Sequence, residues 1–354
     1  MKNKIYINGM GSISAQDNEG IFQESVIKYD RNIFTAIDVE YKNYLSPMAM
    51  RRMSKAVKMG LTATKMALDE SGISMPDAII TGTGQGCKQD TEKFLEEMLE
   101  QDEKLLSPTS FIQSTHNTVG GQIALQLKCL AYNVTYSQNS GSLESALIDA
   151  RLIFDENPDP VTVLAGGVDE ISPTITGFSY LDGQLKQTEI LNTHLYNSFT
   201  PGTITSEGAH FFVLSNLKTQ ETYSEIIDLD LFYATEVEET VENINRVLVQ
   251  NKLTAEDLDI VILGNNCDSR YDHIYLHLQN GLFKNTTQLC YKHLVGDYNT
   301  VTGYAIWLGS KILKMGFFPK ALQVNKVGSK KLRTILIYNH YLGENHSIIL
   351  LRTP

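Results

Sequence analysis

The sequence predicts an α/β layered fold of two similar halves. Short apolar runs alternate with amphipathic helical stretches, which is the pattern of layered α/β proteins. Several of the apolar runs end in glycines. The plan also recurs beyond a polar seam at residues 218–224, without a detectable sequence repeat. The expected division is therefore 1–218 and 219–354. A chain of 354 residues with 42% hydrophobic content can bury a large core in this way.

KIYINGMGSIS, at the start, alternates as a strand and ends in turn residues. Residues 48–71 place apolar side chains at helical spacing, and Ser71-Gly72 supplies the stop. DAIITGTGQG is a buried strand entering a glycine turn, and TEKFLEEMLEQ a short helix. After the turn at Ser107-Pro108, STHNTVGGQIALQLK reads as a helix whose small residues let another backbone approach. NVTYSQ is a strand, SLESALIDARLIF an amphipathic helix and VTVLAGGVDEIS a strand. Residues 177–201 are weakly patterned and read as a loop or cap, and GAHFFVLSN follows as a strand. In the second half ATEVEETVENINRVLVQNKL is helical, DIVILGNN a strand, VTGYAIWLGSKILKM a helix, and TILIYNHYLGENHSIILLRT two closing strands.

Composition excludes several classes of function. A net charge of −11 opposes general binding to nucleic acid or anionic membrane, both of which need a basic footprint. No stretch reaches the roughly 18 apolar residues of a membrane span, and the N-terminus lacks a secretory apolar core, so a cytoplasmic location is expected. Cys87, Cys129, Cys267 and Cys290 show no metal or disulfide spacing and read as buried thiols. No metal and no cofactor are expected.

In order, INGMGSIS, RRMSKAVKMGLTATKMALDESGI, IITGTGQG, SPTSFIQSTHNTVGGQIA, NVTYSQNSGSLESALIDAR, VLAGGVDEIS, SEGAHFFVL, KHLVGDYNTVTG and YLGENHSIIL resemble the β-ketoacyl-acyl-carrier-protein synthases of the thiolase superfamily. The spacing from the elbow to Arg151, and from Lys292 to Gly303, is that of the family. The resemblance implies a thiolase-like fold with a five-layered α-β-α-β-α core. It also implies where chemistry should sit: a Cys at the elbow before a helix, and two His that hold the thioester oxygen. Those positions fall on Asn139, Gly264 and Asp297, and Lys292 of the second His motif is retained. A carboxamide forms no acyl thioester, so the covalent step lacks its nucleophile.

Such a degenerate member resembles the chain length factors, which pair with an active ketosynthase in type II polyketide or polyene synthesis. The chain length factors commonly carry Gln at the Cys position; here Gln138 sits one residue early. The resemblance implies a heterodimer with an active β-ketoacyl synthase and contact with an acyl carrier protein whose phosphopantetheine is the substrate arm. It places the dimer edge on Asn133, Val134, Thr135, Tyr136, Ser137 and Gln138. Lys88, Thr91, Phe94, Leu95 and Tyr341 match acyl-tunnel or gate positions, although the same helical spacing suits plain core. Of the family's Gly pair after the gating aromatic, Gly343 alone is kept. Arg51, Arg52, Lys55 and Lys58 form a basic cluster that could dock an acidic carrier or simply be a solvated helix face. Glu207 matches an acidic residue with structural work.

An alternative is an unorthodox acyl-transferring or hydrolysing enzyme using Ser140 or Cys267; Ser137 and Ser142 also flank the elbow, and His293 lies beside Lys292. A third is a structural scaffold that binds carrier protein only. Aromatic, aryl polyene, pigment-like or fatty-acid-like products are all compatible with the sequence.

Overall fold

Every residue of Ile5–Ile13 (β1) is buried, as expected of a strand covered on both faces. The computed structural model describes residues 3–51, 53–104, 106–327 and 331–354. Pro47–Met50 (α1) and Lys55–Ser71 (α2) replace the single helix expected over 48–71. The break falls at Ser54, whose extended backbone (φ −63°, ψ 169°) and side chain, accepting from Val57 N, start a new helix. Gly72 in left-handed backbone (φ 71°) ends it. Ala78–Gly82 (β2), Lys88–Glu100 (α3), Pro108–Gln113 (α4), Thr118–Leu127 (α5), Tyr132–Tyr136 (β3), Ser142–Glu156 (α6) and Thr162–Asp169 (β4) follow. The stretch expected as loop from 177 to 201 contains the end of Pro173–Leu181 (α7) and a 3-10 turn at Asn192–Asn197, so it is partly helical. Gly208–Ser215 (β5) completes the first set.

The second set is Ser224–Tyr233 (β6), Val237–Gln250 (α8), Ile260–Leu263 (β7), Asp272–Asn280 (α9), Thr287–Cys290 (β8), Lys292–Val295 (α10), Thr302–Met315 (α11), Thr334–Tyr341 (β9) and Asn345–Arg352 (β10). β6 and β8 have no counterpart among the expected elements.

The strand order is β3-β2-β4-β5-β1-β6-β10-β9-β7-β8. Its two halves are topological copies. β2 runs parallel to β3 and β4, then β5 and β1 turn antiparallel; β7 runs parallel to β8 and β9, then β10 and β6 turn antiparallel. The halves join where Ile5–Ile7 pair with Ser224–Ile226. Alternation along the strands assigns the layers. Ile79, Leu164 and Phe211 pack outward with α2 and α5. Ile80, Ala165 and Phe212 face inward with Leu143, Leu147, Trp307 and Leu308 of α6 and α11, and the same cluster takes Ile262, Ile337 and Ile349 from the second half. Val261, Leu336 and Ile348 pack outward with α8 and α9. The result is α-β-α-β-α, with α6 and α11 in the middle.

The close fit of α2 on β1 depends on glycine. A Cβ at Gly11 would lie 1.8 Å from Ala63 O, and one at Gly9 2.3 Å from Ala67 O. At the other end of the sheet β3 is an outer strand whose far side has no pairing partner among the described residues. Asn133, Ser137 and Gln138 are exposed along it, and Val134, Thr135 and Tyr136 half-buried. Tyr132 at its start and Leu125 and Leu130 before it expose apolar surface. Among the described residues, no helix is long and apolar enough to cross a membrane.

Candidate functional site

Where β3 turns into α6, the backbone makes a sharp elbow at Asn139, which adopts left-handed geometry (φ 47°). Ser142 fixes the turn: its Oγ accepts from Gln138 N at 2.8 Å and lies 2.6 Å from the Asn139 carbonyl, to which it donates. Ser145 Oγ donates to Gln138 Oε1 at 3.0 Å. The elbow thus presents residue 139, exposed, at the N-terminus of a 15-residue helix. A helix N-terminus stabilises a thiolate there; the side chain it holds is an uncharged carboxamide.

Asp297 follows α10 and the left-handed Gly296 (φ 74°). Its Oδ1 is 2.8 Å from Lys292 Nζ, and its Oδ2 accepts from Asn266 Nδ2 at 2.8 Å. Both carboxylate oxygens are therefore engaged. Gly264, just past β7, donates its N–H to Tyr338 O at 2.9 Å. A Cβ on Gly264 would meet Asn339 Oδ1 at 2.2 Å. Asn339 is held in place, its Nδ2 donating to Thr302 Oγ1 at 3.0 Å. The space an imidazole at 264 would need is occupied by that carboxamide.

The cavity between these elements has a volume of about 120 Å³, and Lys88, Ser140, Lys292, Asp297, His340 and Tyr341 are among its walls. Asn139 lines an adjoining cavity of about 280 Å³ that shares Ser140 and Tyr341. Thr91, Phe94, Leu95, Cys267 and His293 line neither. Thr91 Oγ1 donates to Cys87 O at 3.0 Å, Phe94 packs on Phe111 with ring centroids 5.6 Å apart, and Leu95 is exposed on α3.

His340 is a site residue that the strand pattern hides. It is 4% exposed, stacks on Tyr275 at 4.6 Å, and its Nδ1 accepts from Gly343 N at 3.2 Å. Burial, with Lys292 adding repulsion, holds its pKa well below the ordinary imidazole value, so the ring is neutral. Beneath lies Glu144, fully buried. Burial raises its carboxyl to about 7, against the pull of the Thr302 and Ser347 hydroxyls and the Lys292 charge. A second buried chain reaches the cavity through Tyr298: Ser12 Oγ is 2.9 Å from His210 Nδ1, and His210 Nε2 is 2.6 Å from Tyr298 Oη. Burial pushes His210 down to about 3.

The substitutes considered for chemistry are poorly placed. Cys267 is 3% exposed and burial keeps its thiol protonated, well above the ordinary value. His293 is buried against Tyr196, 3.2 Å from Ala321 O through Nε2, and is pushed down to about 4 by burial. Ser140 does reach the cavity, where the one imidazole among the described residues is the neutral, stacked His340.

On the basic cluster, Arg51 is exposed, Lys58 half-buried, and Arg52 lies outside the described residues. Lys55 forms an ion pair with the buried Glu207, whose carboxylate also accepts from Ala36 N at 3.0 Å and Ile171 N at 3.2 Å. Glu207 therefore braces the loops around α2, and part of the Lys55 charge is spent internally.

Residues 32–188 match the family described as beta-ketoacyl synthase, N-terminal domain. That segment is similar to the family's N-terminal domain. No curated protein sequence matches it. Among solved structures, the ishigamide ketosynthase/chain length factor is similar over 100% of both chains, with 15% identity and a TM-score of 0.80. A beta-ketoacyl synthase from Burkholderia phymatum is similar over 100% of both chains at 16% identity and a TM-score of 0.81. The ketosynthase ApeO in complex with its chain length factor ApeC from Xenorhabdus doucetiae is similar over 99% of this chain and 98% of that one, at 15% identity and a TM-score of 0.77. These ketosynthase-like neighbours share the fold described above.

Proposed function

We propose that this chain is a chain length factor-type subunit, which does not condense acyl units itself but stabilises an active β-ketoacyl synthase and shapes the space for its product. The observation that carries this reading is the state of three positions together. The elbow holds Asn139, Gly264 is closed off by Asn339, and Asp297 is bound into an ion pair with Lys292. At two of the three the surroundings fit the residue now present: Asn339 fills the space beside Gly264, and Lys292 and Asn266 engage Asp297. The open β3 edge, with apolar Tyr132 at its start and Leu125 and Leu130 before it, supports a partner chain that covers it. Solved neighbours that are ketosynthase/chain length factor pairs support the same pairing.

In the pair, the partner's Cys and two His would carry out decarboxylative condensation on phosphopantetheine-bound units. This chain would contribute α3 to the tunnel wall, with Lys88, Thr91, Phe94 and Leu95, and Tyr341 as the gate. Leu95 on the exposed face of α3 suits contact with a partner rather than with this chain's own core. Arg51 and Lys58 would meet the acidic carrier. The product class is a type II polyketide, polyene or fatty-acid-like chain.

Co-expression with an intact Cys-His-His ketosynthase tests this reading. A stable heterodimer whose products shorten when Thr91→Trp or Leu95→Trp is introduced supports it. A homodimer that elongates malonyl units alone contradicts it, and unchanged products in both variants would leave a carrier-binding scaffold instead.

A further inference from the structure

Outside the site, a cavity runs between the end of β1, the segment after it and the C-terminal part of α11. Its volume is about 520 Å³, within the range that holds small organic ligands, and it shares no wall with the site cavity. Part of its wall is polar, with Ser12, Ser14, Gln16, Asn18 and Gln23, and part is apolar. Met10, Ile13, Val39, Met66 and Met315 are apolar, and an aromatic corner is built from Phe22, whose ring meets Trp307 edge-on at 6.0 Å and Phe317 at 5.9 Å. Met315 and Phe317 remain 45% and 47% exposed there, apolar surface that an occupant would cover.

The charge at the rim is one-sided. Asp17 and Glu19 are exposed carboxylates on the wall. Lys311, the cation on the same wall, is turned to other work: its Nζ is 3.8 Å from Glu70, donates to Tyr223 Oη at 3.2 Å and lies 4.9 Å from the Tyr223 ring centroid. The rim is thus negative, beside aromatic faces that favour a nearby cation.

We infer that this cavity binds a small amphipathic amine, with an aromatic or alkyl body against Phe22, Trp307 and Phe317 and its ammonium head at Asp17 and Glu19. The occupant is a cation because, among the described residues, neither rim carboxylate forms an ion pair, Asp17 Oδ1 accepting only from Glu19 N at 3.1 Å, whereas a carboxylate ligand would face both of them. The site is separate from the acyl chemistry, so it offers a place for a small molecule to act on the subunit without entering the tunnel.

Trp307 is the sole tryptophan of the chain and stands in the wall, so its emission reports occupancy directly. The full chain is titrated with 2-phenylethylamine and, separately, with 3-phenylpropionate, following emission and calorimetric heat. The expected result is saturable binding of the amine with weak or absent binding of the acid. Asp17→Asn with Glu19→Gln should weaken the amine about fivefold, as two exposed ion pairs allow, and Val39→Phe should abolish binding by filling the cavity. The two carboxylates are exposed, so their variants fold even if the filled cavity does not. Absence of saturable binding, equal binding of the acid, or amine affinity unmoved by the double charge variant would overturn the assignment.

Discussion

Lys292 Nζ and Asp297 Oδ1 stand 2.8 Å apart, with the lysine side chain 2% and the aspartate 21% exposed. A buried ammonium without its counter-ion is costly, so each of these residues constrains the other. Asp297 is thus part of the fold's charge balance.

Asp297→Ala should therefore destabilise the chain by about 3 kcal/mol, chiefly because Lys292 is left uncompensated. Asp297→Asn should cost less, since it can keep the contact with Asn266. Urea unfolding of both variants checks the order; a loss under about 1 kcal/mol for the alanine would mean that Lys292 tolerates burial without Asp297.

Glu144 gives the protein a pH dependence with a definite sign. An unfolded glutamate releases its proton near 4.5, while the folded one holds it to about 7. Between those values the folded state binds more protons, so the stability from this group is present below 4.5 and lost as pH rises through about 7. Glu170, buried with its oxygens on Ala56 N and Gln89 N and raised to about 7 mainly by burial, adds in the same direction. Tm should fall between pH 5 and pH 8, and Glu144→Gln should flatten the fall. An identical slope in the variant would contradict this assignment.

Gly264 and Asn339 form a steric pair. Gly264→Ala should cost about 1–3 kcal/mol, the usual range for forcing a carbon into a filled space. Adding Asn339→Ala should recover part of that loss, so the double variant is less destabilised than the sum of the singles. Strict additivity, measured by chemical denaturation, would mean the two do not share the space.

The cysteines should be inert. All four are buried, and burial pushes Cys87 and Cys290 up to about 12 and Cys267 well above the ordinary thiol value. Iodoacetamide at pH 8 should label none in the folded protein and all four in denaturant. Labelling of Cys267 in the folded chain would revive it as a nucleophile.

Most strands were legible because segments buried on both faces read as short apolar runs bounded by turn residues, as in β1, β4 and β5, and the long helices kept their periodicity. The break at Ser54 was not, because apolar spacing continues across it and only the cap geometry separates α1 from α2. β6 escaped because Asp228 and Asp230 interrupt its apolar run; Arg246 and Asn251 of the neighbouring helix region answer them in the folded chain. Asn139 and Asp297 could be picked out as candidates because elbow and loop carry local signatures. His340 and Asn339 could not, since their role depends on β9 lying beside β7, which no local pattern encodes.

Reconstitution with malonyl-loaded carrier protein tests the central claim most directly: this chain alone, its Asn139→Cys variant alone, and this chain paired with an intact Cys-His-His ketosynthase. Condensation by the pair only, with both single-chain samples inactive because Gly264 and Asp297 still lack imidazoles, is the predicted result. Elongation of malonyl units by this chain on its own would contradict it.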